Sequence, residues 1–168
     1  MNSKIKNILS YVIVIIIALV IKLYVFTPIR VNGTSMYPTL NDGDIMLLNE
    51  IGYHLNGVKR FDIVVIKTED DRIIKRVIGL PGEKVKYIDN KLYINDEEVK
   101  EDFTHEITHN FDLSDIDVEI IPEGYYFVVG DNRGNSKDSR TIGLISEKQI
   151  MGKTNFILFP FNKIGNVQ

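Results

Sequence analysis

The chain has 168 residues, 44% hydrophobic and 26% charged, proportions that suit one modest globular unit plus an appendage and argue against disorder. Its formal charge is −3, and setting aside Lys4, Lys6 and Lys22 of the acid-free stretch 1–26 leaves the remainder at −6, with no basic stripe for a nucleic-acid partner. Cysteine is absent, which removes disulfides, thiolate catalysis and cysteine-ligated zinc or iron.

The first predicted element is apolar. Ile8 to Ile21 is interrupted only by Ser10 and Tyr11, and the run resumes after Lys22 as Leu23-Tyr24-Val25-Phe26. With Lys22 snorkelling, this is about 19 residues, close to the roughly 20 that a helix needs to cross a bilayer. Lys4 and Lys6 would also suit a cleaved signal peptide, but Val25-Phe26-Thr27-Pro28 offers no small-x-small cleavage site. A buried core helix is disfavoured because no polar stripe interrupts the apolar surface. Residues 1–26 therefore read as a tail and an uncleaved transmembrane anchor. The positive-inside rule votes for a cytoplasmic amino terminus, with the body on the other side.

Beyond residue 27 the chain reads as short strands between turn residues. Ile45-Met46-Leu47-Leu48, Ile63-Val64-Val65-Ile66 and Tyr125-Tyr126-Phe127-Val128-Val129 have strand length and are bounded by Gly, Asp, Asn or Pro. Val85-Lys86-Tyr87-Ile88 and Leu92-Tyr93-Ile94 flank Asp89-Asn90-Lys91, a hairpin signal. Residues 95–120 are more acidic and less apolar, which predicts an insertion or long surface loop. The expected fold is mainly β: an antiparallel, coiled β domain over 27–82 and 122–168, with a small β insertion or cap over 83–121, preceded by one transmembrane helix.

Three stretches carry residues that a plain β domain does not need. In Gly33-Thr34-Ser35-Met36-Tyr37-Pro38-Thr39-Leu40, a serine lies between a flexible glycine and a stiffening proline, on a turn that presents its hydroxyl. In Ile73-Ile74-Lys75-Arg76-Val77-Ile78-Gly79, Lys75 interrupts an apolar strand although most lysines stay solvated. Gly130-Asp131-Asn132-Arg133-Gly134-Asn135-Ser136-Lys137-Asp138-Ser139-Arg140 crowds hydrogen-bonding groups directly after a hydrophobic strand. Singly, each has a plain structural reading: a turn, an edge strand, a polar loop.

Together, and in this order, the three stretches resemble the signature boxes of type I signal peptidases in their short Gram-positive form, and Asp42-Gly43-Asp44-Ile45 resembles the family's second box. The resemblance covers about residues 8–48, 60–83 and 122–152. It implies a membrane-anchored serine endopeptidase that removes signal peptides from exported preproteins at the lipid bilayer, with no metal and no cofactor. By the same likeness Ser35 is the nucleophile and Lys75 the general base. Ser136 orients the lysine amine, Asp138 and Arg140 form a structural ion pair, and Asp131, Asn132 and Arg133 support the site. Arg60-Phe61-Asp62 and Pro81-Gly82-Glu83 depart from the family's Arg-Gly-Asp and Pro-Gly-Asp, outside the expected chemistry. Gly33 stands where some members have an oxyanion-binding serine, which leaves the Ser35 backbone N–H as the main donor.

A Ser–Lys pair needs a neutral amine. A free lysine titrates near 10.4, so Lys75 must be desolvated, and Ile73, Ile74, Val77 and Ile78 are suitable surroundings. Eight residues separate Phe26 from Ser35, about 30 Å at full extension, which keeps the nucleophile near the bilayer surface.

Rival motifs are weaker. His105-Glu106-Ile107-Thr108-His109 fits the zinc-protease pattern, but that pattern works on a helix, and this segment has poor helix propensity. A self-cleaving Ser–Lys repressor would carry a helix-turn-helix where this chain has its apolar run. A catalytically silent anchored β domain that binds secreted chains is the non-enzyme alternative. Deleting residues 1–26 is expected to give a more soluble protein that still cleaves a signal-peptide substrate in detergent-free buffer. Inactivity of such a folded truncation would show that the anchor contributes to the chemistry itself.

Overall fold

In the computed structural model the described residues are 7–16, 27–69 and 71–167. Residues 7–16 form a helix, α1, with exposed side chains, and no helix among the described residues is long and apolar enough to cross a membrane. The rest of the predicted anchor, residues 17–26, lies outside the described residues.

Among the described residues, one large antiparallel sheet orders its strands as β1 (Thr27–Arg30), β2 (Ile45–Asn49), β11 (Ile150–Phe159), β3 (Ile63–Lys67), β4 (Arg72–Gly79), β9 (Tyr125–Val129) and β10 (Ile145–Ser146), and β12 (Gly165–Asn166) pairs with β11. A second, smaller sheet orders β7 (Glu97–Val99), β6 (Lys91–Ile94), β5 (Val85–Ile88) and β8 (Phe111–Asp112). The mainly β, antiparallel reading holds.

β3 shows why its sequence is apolar without alternation. Ile63 and Val65 enter one core cluster with Met36, Leu40, Met46 and Ile74, while Val64 and Ile66 enter another with Tyr53, Val77 and Val128. A strand covered on both faces needs no polar side. β4 lies beside it, with Lys75 opposite Val64 and Arg76 opposite Ile63. Both cations are thereby carried into the interior, at 3% and 1% exposure.

Three features differ from the sequence expectation. The β5–β6 turn has two residues, not three: Asp89 and Asn90 both take positive φ, the type I′ pattern that matches strand twist, and Lys91 already pairs with Ile88. The stretch 95–120 is more ordered than a loop, because it holds β7, β8 and a 3-10 turn over Leu113–Ile116 capped by Asp112. A short helix, α2 (Glu50–Asn56), follows β2, with the Asn49 side chain accepting from Gly52 N–H. Seven residues are too few to display an amphipathic period.

The two sheets join at Gly79, where β4 shifts register against β9 and the third cluster (Ile78, Val85, Ile121, Phe127) closes over it. A Cβ there would collide with Ile121 Cδ1 and stand 2.6 Å from Val85 Cγ2. Gly79→Ala is therefore expected to cost about 1–3 kcal/mol by overpacking, read as a lower urea midpoint. An unchanged midpoint would mean that Ile121 and Val85 can move aside freely.

Candidate active site

Ser35 lies in the turn that follows β1. Gly33 enters it at φ +83°, a conformation that disfavours any side chain, and its N–H donates to Asp42 Oδ1 at 2.7 Å. Met36 and Leu40, buried in the cluster beneath, pin the other side, and Tyr37 N–H to Thr34 O closes the backbone. Ser35 is left half-buried, with its hydroxyl facing β4.

Lys75 Nζ donates to Ser35 Oγ at 2.6 Å. With the amine neutral, the same contact carries the serine proton in the opposite sense. Burial is the largest influence on Lys75 and lowers it from 10.5 to about 8; Asp138 and Asp131 oppose that shift, and Arg140 adds to it.

Arg76, the next residue, meets opposite circumstances. Its Nε and Nη2 donate to Asp131 Oδ1 and Oδ2 at 2.9 and 2.7 Å, its Nη1 donates to Phe61 O at 3.1 Å, and its guanidinium lies 3.9 Å from the Phe103 ring centroid. Strand alternation sends Arg76 to the face opposite Lys75, while the partner Asp131 comes from 55 residues along the chain and leaves no local pattern. The burial of Arg76 beside Lys75 in an apolar run is the signal that could have suggested a partner.

The loop after β9 then grips the Ser35 turn residue by residue. Asp131 also accepts from Thr39 Oγ1 at 2.6 Å. Asn132 donates from its backbone N–H to Ser35 O at 3.1 Å and from Nδ2 to Thr34 O at 3.0 Å, and Asn135 Nδ2 donates to Thr34 Oγ1 at 3.2 Å. Gly130 allows this approach, since a Cβ there would collide with the Ser35 carbonyl and with Ser136 Oγ. Asp138 caps α3 (Ser139–Ile142), accepts from Gly130 N–H, and pairs with Arg140 Nη2 at 2.8 Å. Burial pushes the Asp138 carboxyl up, but the Arg140 guanidinium beside it and the Gly130 N–H outweigh that and hold it below the ordinary carboxylate range.

Ser35, Lys75, Asp131 and Asn132 thus meet in one cluster, with Asp138 and Arg140 bracing the loop. Arg133 turns away toward the small sheet. Ser136 is different: its Oγ is buried, lies close to Gly130, and its side chain faces the Asp138 carboxyl, which it helps to hold down. The Ser136–Lys75 bond implied by the resemblance is not formed in this geometry. The segment His105–His109 is irregular, so its two imidazoles do not share a helix face; His105 Nε2 instead lies 3.5 Å from Glu101 Oε2.

A cleft of about 280 Å³ opens beside the pair, walled by Pro28–Asn32 on one side and Asp71–Lys75 on the other, with Ser35 and Met36 at its base. A larger cavity of about 470 Å³, near Phe61 and Phe103, touches neither Ser35 nor Lys75, so chemistry rather than size identifies the site.

The family model described as signal peptidase, peptidase S26, matches residues 4–159. Signal peptidase I T of Bacillus subtilis is 41% identical over 164 residues, covering 92% of this chain and 85% of that protein. Signal peptidase IB of Staphylococcus aureus is 38% identical over 177 residues, covering 94% and 93%. Among solved structures, a signal peptidase I from Enterococcus faecalis superposes with a TM-score of 0.53 at 38% identity, covering 57% of this chain and 95% of that one.

The buried amine has a stability signature. Lys75 releases its proton near pH 8 when folded but near 10.5 when unfolded, so the unfolded state binds more protons between those values and stability rises with pH across that window. Below pH 8 the full penalty is present, roughly 3 kcal/mol. Lys75→Met is expected to be more stable than the parent at pH 7 in urea titrations, with the gap closing by pH 10.5. No gap at pH 7 would remove burial as the cause of the lowered basicity.

Proposed function

The chain belongs to the signal peptidase family, peptidase S26, and on that premise we propose that it is a membrane-anchored serine endopeptidase that cuts signal peptides from exported preproteins by a Ser35–Lys75 mechanism. The observation that carries the mechanism is the 2.6 Å contact between a buried, weakened amine and a serine hydroxyl at the base of an open cleft.

At pH 7, with Lys75 titrating at about 8, roughly one molecule in ten holds the neutral amine. In that form Lys75 Nζ takes the Ser35 proton as Oγ attacks the scissile carbonyl. The resulting ammonium gives the proton to the departing amine, so the newly freed amino terminus leaves neutral. Water then enters, Lys75 takes its proton, and the acyl-enzyme hydrolyses. The negative charge on the tetrahedral oxygen falls to the Ser35 backbone N–H, because Gly33 has no hydroxyl to offer. Asn132, bonded to the carbonyls of Thr34 and Ser35, keeps that peptide unit oriented.

We assign residues 27–82 and 122–168 to the catalytic β domain and 83–121 to a cap. The anchor of residues 1–26 is assigned on its apolar run, which places Ser35 near the bilayer and in reach of a chain whose cleavage site follows a membrane-held helix. The contact between Ser35 and Lys75 favours this reading over a catalytically silent binding domain.

Ser35→Ala and Lys75→Ala are each expected to lower preprotein cleavage at least about a hundredfold while the circular dichroism of the β domain is retained. For the parent, kcat/KM should climb as pH rises through about 8, because the acid limb reports deprotonation of Lys75 in the free enzyme. A folded Lys75→Ala protein with full activity would sink the mechanism.

A further inference from the structure

Resting on the peptidase reading above, we propose that Glu101, supplied by the cap, is a positioning residue for the Ser35–Lys75 pair and acts through Arg133. Arg133 belongs to the loop after β9, yet its side chain, fully buried, reaches into the small sheet. There Nη2 donates to Glu101 Oε1 at 2.7 Å and Nη1 donates to Tyr87 OH at 3.1 Å, while Tyr87 OH donates to the same Glu101 oxygen at 3.0 Å. The three groups close a ring. Thr108 Oγ1 accepts from Arg133 Nη1 at 2.6 Å. A buried guanidinium must be paired, and Glu101, only 5% exposed, is the carboxylate that pairs it.

The cap holds the same loop through its backbone as well. Glu106 N–H donates to Asp131 O at 3.0 Å. Segment 101–108 therefore clasps the outside of a three-residue stretch whose inner face is the site. Asp131 fixes Arg76 and Thr39, Asn132 fixes the carbonyls of Thr34 and Ser35, and Arg133 fixes the stretch to Glu101. Arg133 O, in turn, accepts from Arg140 Nη2 at 2.9 Å, and Arg140 holds Asp138, the charge that most strongly opposes the weakening of Lys75.

Arg133 and Asn132 are adjacent, so any backbone shift that follows loss of the Arg133 anchor reaches both bonds that Asn132 makes to the nucleophile turn. Misplacement by a fraction of an ångström at a reacting pair is costly in rate. The cleft walls, Pro28–Asn32 and Asp71–Lys75, contain none of these residues. Loss of the clasp should therefore slow chemistry and leave substrate binding alone, which a residue serving only to tether the cap would not do.

The test measures kcat and KM of the full chain in detergent on a preprotein, with melting temperatures alongside. Glu101→Ala is expected to lower kcat about tenfold with KM within about twofold of the parent. Glu101→Gln, which keeps an oxygen for Arg133 Nη2 and Tyr87 OH but removes the charge, should recover part of that loss. If Glu101→Ala does not fold, Thr108→Val carries the test, since it removes one Arg133 acceptor at nearly constant volume; a kcat about threefold down supports the role. A folded Glu101→Ala with a lower melting temperature but unchanged kcat, a rise in KM alone, or an unchanged kcat in Thr108→Val overturns it. An inactive parent would instead overturn the function and this role with it.

Discussion

The bidentate pair between Arg76 and Asp131 is the constraint on which the rest of the site depends. Both side chains are out of water, at 2% and 0% side-chain exposure, so each charge relies on the other. Removing one member of such a pair leaves an uncompensated buried charge, a loss of about 3–5 kcal/mol. The pair fastens the start of the loop after β9 to the middle of β4. Through Thr39 it also fastens the far end of the nucleophile turn to both. Three segments distant in sequence are thereby brought to one point, and Asn132 then needs only to reach across to the Thr34 and Ser35 carbonyls.

Lys75 and Arg76 illustrate how neighbouring cations on one strand acquire opposite properties. Alternation sends them to opposite faces. Arg76 meets a carboxylate that pairs with it. Lys75 meets a serine hydroxyl and apolar walls, with the carboxylates of Asp138 and Asp131 close enough only to moderate the effect of burial. A nearer carboxylate would have kept the amine protonated. The spacing of charge around β4 thus separates a paired cation from a weakened one, at a stability penalty that falls on Lys75.

Much of this was legible in the chain. Strands β5 and β9 and the core of β3 follow from apolar runs bounded by turn residues, because burial on one or both faces leaves that pattern. Ser35 and Lys75 are ordinary one at a time, a serine in a turn and a lysine in a strand, and only the resemblance of the boxes around them singles them out. α2 was too short to show a period. The hairpin turn was read one residue long, because Lys91 is as polar as the turn it adjoins. The network of Tyr87, Glu101, Thr108 and Arg133 left no local signal, since its members lie up to 46 residues apart and each alone suits a surface.

By itself, the sequence determined the β character, the order of the boxes and the apolar run at the amino end, all of which are properties of residue type and local spacing, while the resemblance of the boxes pointed to Ser35 and Lys75. Tertiary structure alone decided that Ser35 and Lys75 meet across 40 positions, that Arg76 gains a carboxylate partner while Lys75 gains a serine hydroxyl, that Ser136 faces Asp138 and not Lys75, and that Glu101 grips the loop through Arg133. The physical reason is that desolvation and ion pairing depend on which groups surround a side chain from every direction. A linear pattern records only the neighbours along the chain, and here the deciding neighbours come from β9, its loop and the small sheet.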